Sequence, residues 1–120
     1  MKYKIKKDLL GDIFVSVREM FPNEFMCFVG SSNSNNIIDE IVLFPTYNST
    51  NSTSINLNNI PLDSGIIGSL HSHPSSYLTP SKADLKFFLR YEINIIFGVN
   101  NENNYKIFDK FGKEIELEVI

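Results

Sequence analysis

Leu10, Ile13, Phe14, Val17, Met20 and Phe21 recur at spacings of three and four, which predicts an amphipathic helix over residues 8–21. Asp8 and Asp12 sit near its positive end, Pro22 stops it, and Gly11 weakens only its first turn. Glu24-Phe25-Met26-Cys27-Phe28-Val29-Gly30 is a short apolar run that fits a strand buried on both faces. After a polar turn at 31–36, the run Ile37 to Phe44 reads as a second strand closed by Pro45, and the pair suggests a hairpin. From Thr46 to Asn59, Asn, Ser and Thr dominate, so this stretch is either a mobile loop or a polar strand pair.

Ile66 to His73 reads as a strand ended by Pro74. Thr79-Pro80-Ser81-Lys82-Ala83-Asp84 is a helix start, with hydroxyls at cap positions and an acid three residues after Ser81; Leu85, Phe88 and Leu89 continue it. Strands follow at 93–99, 105–109 and 114–120, the last alternating Ile115, Leu117 and Val119 against Glu114, Glu116 and Glu118. The order implies an α+β fold, a mixed sheet flanked by helices in a three-layer α/β/α arrangement.

Length and composition narrow this further. The 120 residues suit one domain spanning 1–120, and 42% hydrophobic with 21% charged residues excludes a disordered chain. No apolar run approaches the roughly 18 residues of a membrane helix, and the basic start from Met1 to Lys7 lacks the apolar core of a signal peptide. The two Asn-Ser-Thr triplets at 48–50 and 51–53 therefore match a glycosylation pattern by chance. A net charge of -3 argues against nucleic-acid binding. Cys27 is the sole cysteine, so there is no internal disulfide and no cysteine-based zinc cage; without a basic neighbour it reads as core rather than nucleophile. The chain reads as cytoplasmic.

The chemistry concentrates around two histidines. His71 and His73 are two residues apart on a strand, so both side chains leave the same face and can converge on one metal ion. Asp84, in the first turn of the next helix, can fold back over that face. Two imidazole nitrogens and a carboxylate oxygen suit Zn²⁺, and three protein ligands leave a fourth tetrahedral position for water, the mark of a catalytic site. Taken singly, each residue has a plainer reading: the histidine pair as coincidence, Asp84 as a helix N-terminal acid, Ser81 as an N-cap, Pro74 as a strand terminator. Jointly, the pattern would arise by chance in roughly one chain of this length in 100,000 at background frequencies.

His71-Ser72-His73-Pro74, six residues, Ser81, two residues and Asp84 resembles the signature of the JAMM (MPN-plus) metalloprotease family. Phe21-Pro22-Asn23-Glu24, entering a strand after the first helix, is similar to that family's upstream glutamate segment. The resemblance implies a fold related to cytidine deaminase. It implies one zinc per chain held by His71, His73 and Asp84, with Glu24 hydrogen-bonding the metal's water and Ser81 donating to the tetrahedral oxyanion. Zinc lowers the pKa of its water toward about 7, and a neighbouring carboxylate can accept the proton and deliver it to the departing amine. Without the resemblance, Glu24 reads as the edge acid of a buried strand. Ser69, on the ligand face, and Ser72, on the other, receive no role, and Tyr77 and Leu78 either line a groove or pack the loop.

Members of that family hydrolyse peptide or isopeptide bonds after the C-terminal Gly-Gly of ubiquitin-like proteins. Only 36 residues follow Asp84, leaving no room for a long second insertion, so the chain resembles the compact prokaryotic or archaeal type. The implied partners are a ubiquitin-like modifier or a sulfur-carrier protein, with Ser54 to Asp63 a candidate edge for pairing with its tail. The alternatives are a non-catalytic MPN scaffold and a hydrolase freeing a sulfur carrier from an amino-acid adduct. An amidohydrolase barrel needs about 250 residues, and a nucleobase deaminase needs Pro-Cys-x-x-Cys, which this chain lacks.

Overall fold

The structure is a computed structural model and describes residues 2–32, 35–43, 46–49, 52–55 and 65–120. Its largest sheet has six strands in the order β10-β9-β8-β7-β2-β4: Glu114–Ile115, Tyr105–Asp109, Ile93–Phe97, Ile66–Ser72, Met26–Gly30 and Glu40–Val42. Only β7 and β8 run parallel; every other neighbouring pair in this sheet is antiparallel. A parallel pair needs a crossover, and helix α2 (Lys82–Phe88) supplies it. A second, all-parallel sheet runs β11-β1-β3, from Leu117–Val119 through Tyr3–Ile5 to Ile37–Ile38.

Strand alternation places a core on each face of the larger sheet. Helix α1 (Lys7–Met20) buries Leu10, Ile13 and Val17 against one face, where Cys27, Val29, Leu70, Ile93, Ile95, Phe97 and Ile107 meet them. On the opposite face Phe88 of α2 packs with Leu78, Ile96 and Phe108. Each side chain the size of Phe88, wholly removed from water, contributes roughly 1.5–3 kcal/mol. The three-layer expectation therefore holds, with α1 and α2 on opposite sides. Cys27, Phe28 and Val29 are all inaccessible, so β2 is buried on both faces as its composition predicts. Phe21 departs from the predicted apolar stripe: it is the C-cap of α1 and half exposed.

Two predicted strands are each divided between the two sheets. The Ile37–Phe44 run breaks at Asp39, whose N–H donates to Gly30 O while its carboxylate accepts from the Ser32 N–H and hydroxyl. Its first half joins β1 and its second half forms the predicted hairpin with β2. Phe44 and Pro45 lie outside the described residues. The 114–120 run divides at Glu116, where the chain passes from β9 to β1. Its apolar positions are consequently only half-buried at Ile115 and Leu117, and Val119 is exposed on an edge. Strand β1 was not predicted: Tyr3 and Ile5 are buried between lysines, in a strand of three residues.

The Asn/Ser/Thr-rich segment contains an antiparallel pair, β5 (Thr46–Ser49) with β6 (Ser52–Ile55). Of the candidate docking edge Ser54 to Asp63, only Ser54 and Ile55 are described, and they already pair with β5; residues 56–63 lie outside the described residues. No helix is long and apolar enough to cross a membrane among the described residues.

Candidate metal centre

The site lies at the carboxyl end of β7, beside its parallel neighbour β8, where open α/β sheets commonly bind ligands. His71 belongs to β7 and is 7% exposed. His73 follows the strand's last residue, yet its N–H still donates to Phe97 O at 2.8 Å, which continues the pleat. Both imidazoles therefore leave the α2 face, where the His71 ring lies 6.4 Å from that of Phe88. Asp84 reaches them because Ser81 starts α2 with a capping box: Ser81 Oγ accepts from the Asp84 N–H at 3.0 Å, and the Ser81 N–H donates to Asp84 Oδ2 at 2.9 Å.

The three groups converge closely. His71 Nε2 and His73 Nε2 are 3.2 Å apart, His71 Nε2 lies 3.2 Å from Asp84 Oδ1, and His73 Nε2 lies 3.2 Å from Asp84 Oδ2. Ligand atoms about 2.0–2.1 Å from a tetrahedral zinc stand about 3.3 Å from one another, so these separations fit that ion. The tautomer agrees. His73 Nδ1 lies 2.9 Å from the Tyr77 carbonyl, which can only accept, so Nδ1 carries the proton and a neutral His73 turns a bare Nε2 lone pair inward. Nitrogen lone pairs and carboxylate oxygens meeting this closely are satisfied by a positive charge between them, a proton or a metal ion.

No family model matches the chain. A curated protein from Haloferax volcanii named "Probable metalloprotease" is 29% identical, the match covering 97% of this chain and 78% of that one. A solved structure described as "JAMM: A Metalloprotease-like Zinc Site in the Proteasome and Signalosome" superposes with a TM-score of 0.78 at 29% identity, covering 100% of this chain and 99% of the other. A JAB1/MPN domain protein from Archaeoglobus fulgidus gives a TM-score of 0.77 at 28% identity, over 99% and 97% of the two chains. This chain is similar over nearly its whole length to compact JAMM/MPN-domain proteins.

Glu24 lies near enough to His73 for its charge to be felt there. The Ser72 N–H donates to Phe25 O at 2.9 Å, and Met26 stands opposite His71, which sets Glu24 level with His73 on the same sheet face. Its charge acts on His73, whose pKa is raised chiefly by the Asp84 carboxylate, against burial, with the Tyr77 carbonyl and Glu24 assisting. Burial alone would raise Asp84, but the adjoining His71 and His73 imidazoles and the Ser81 N–H favour its charged form, prevail, and hold it well below the usual carboxylate range. Ser81 is exposed; its oxygen accepts within the cap, so its hydroxyl hydrogen can still be donated outward.

Three supporting residues were assigned no role from the sequence. The Ser72 hydroxyl accepts from the Phe25 N–H at 2.8 Å and fastens the strand that carries Glu24. Ser69 donates to Asn94 Oδ1 at 2.6 Å, and Asn94 Nδ2 donates to the Phe88 and Tyr91 carbonyls, fixing the far end of α2. Asn94 did carry a signal, since it interrupts the apolar run from Ile93 to Phe97. Tyr77 and Leu78 divide: Leu78 is buried in the second core and Tyr77 is 78% exposed.

Proposed function

We propose that this protein is a zinc-dependent peptidase or isopeptidase that cleaves after the C-terminal Gly-Gly of a ubiquitin-like modifier or sulfur-carrier protein. The observation that carries the reading is the convergence of two imidazole nitrogens and one carboxylate, each nitrogen 3.2 Å from the other and from one Asp84 oxygen, with Glu24 just ahead of the neighbouring strand. In it, His71, His73 and Asp84 hold the ion. Zinc bound there would supply Lewis acidity and lower the pKa of its water toward about 7. Glu24 accepts a proton at its carboxylate and returns it to the departing amine nitrogen. Ser81 donates its hydroxyl to the carbonyl oxygen as negative charge develops there.

The substrate class rests on the family resemblance and on steric economy: an extended diglycine tail, with no side chains, can approach a metal framed closely by β7 and α2. Metal analysis of the purified chain should find one zinc. Cleavage of a Gly-Gly-linked conjugate of a ubiquitin-like protein should stop on chelation and return on adding zinc. A zinc-loaded chain that cleaves no such conjugate overturns the reading in favour of a binding scaffold.

A further inference from the structure

The Asn-rich turn between β8 and β9 reads from sequence only as a connection, yet one of its residues is tied to the metal-ligand loop. Asn104 Nδ2 donates to the Ser76 carbonyl at 3.2 Å, across 28 residues of sequence. Ser76 immediately precedes Tyr77, whose carbonyl receives the His73 Nδ1 proton. The Asn104 amide is itself held, bonding Asn100 Oδ1 through the same nitrogen, while Asn104 O accepts from the Gly98 N–H at 2.8 Å. From the other side, the Tyr77 N–H donates to Ser75 Oγ, and Leu78 is anchored in the second core.

Gly98 adds an independent observation. A Cβ built on it would collide with the Asn104 amide nitrogen and crowd Asn100 Oδ1. Its φ is not positive, so no backbone requirement for glycine applies; the missing side chain makes room for the Asn104 amide. Gly98 also follows Phe97, whose carbonyl accepts from the His73 N–H, so the turn and the ligand meet at the end of β8.

We infer that Asn104, seated on Gly98, is a positioning residue for the metal ligand His73: it straps the 74–80 loop so that the Tyr77 carbonyl fixes the ring's tautomer and direction. This rests on the ligand role proposed for His73. An outer partner that orients a ligating imidazole typically contributes 10–100-fold in metal affinity, and a tether one bond further out is expected at the lower end, about tenfold.

The test is zinc affinity of the full chain, measured by competition with a chromophoric chelator, together with NMR of the His73 ring in the zinc-free protein. Asn104→Ala and Gly98→Ala should each weaken zinc binding about tenfold and reduce the Nδ1–H tautomer of His73. Tyr77→Ala, which keeps the carbonyl, and Asn103→Ala, beside the strap, should leave both readouts unchanged. Apo-protein melting identifies any variant that fails to fold; Gly98→Ala then decides for Asn104→Ala, or the reverse. Wild-type zinc affinity and tautomer in both strap variants overturn the inference, as does a wild-type chain that takes up no zinc. Tight zinc binding without cleavage overturns the proposed activity and leaves the strap standing.

Discussion

Phe25 and Ser72 are joined twice: the Phe25 N–H donates to the Ser72 hydroxyl at 2.8 Å, and Phe25 O accepts from the Ser72 N–H at 2.9 Å. Ser72 lies between His71 and His73 in sequence, with its side chain on the opposite face of the sheet. The latch extends the β2·β7 pairing past Met26 and sets Glu24 opposite His73.

Breaking the side-chain half of the latch should cost both stability and turnover. Ser72→Ala leaves the buried Phe25 N–H without its acceptor, a loss of about 1–3 kcal/mol readable in urea unfolding. Zinc content should persist, since His71, His73 and Asp84 are untouched. Unfolding indistinguishable from wild type would show that the bond contributes nothing.

Glu24→Gln keeps size and hydrogen-bonding capacity but removes the proton acceptor. Zinc should remain bound, while turnover of a Gly-Gly-linked conjugate falls by about 10²–10⁴, the usual range for a general acid–base group. Steady-state kinetics beside metal analysis checks it; a normal rate would assign the base elsewhere.

Ser81 serves the helix and, as proposed, the reaction, and two substitutions separate these roles. Ser81→Ala removes the cap and should cost about 0.5–2 kcal/mol, whereas Ser81→Gly should cost only a few tenths. Both lack the hydroxyl donor, so both should lose about 10²–10³ in turnover. Activity that tracked stability across the pair would reduce Ser81 to a cap.

Cys27 governs part of the alkaline limit. Burial pushes its thiol from 9.0 up to about 12. A raised folded-state value means that its stabilising contribution is complete below pH 9 and is lost between about pH 9 and 12, because only the unfolded chain ionises there. The slope approaches about 1.4 kcal/mol per pH unit. Urea unfolding of Cys27→Ala should show a shallower decline over that window, despite a lower starting stability. In the native protein the thiol should resist a disulfide reagent at pH 8 and react after unfolding.

The sequence alone fixed what local periodicity and local chemistry encode. The helix over 8–21 appears as Lys7–Met20, the strand before Pro74 as Ile66–Ser72, and the start at Ser81 as a capping box, because each depends on neighbours within a few residues. The His71, His73 and Asp84 cluster was legible for the same reason: a strand pleat and a short crossover leave little freedom over thirteen residues. Tertiary structure alone decided which sheet each half of 37–42 and 114–119 would join, since hydrophobic alternation does not name a strand's partner. It also decided that Glu24 falls opposite His73 and that Asn104 meets Ser76, across sequence separations that only the β-sheet register closes.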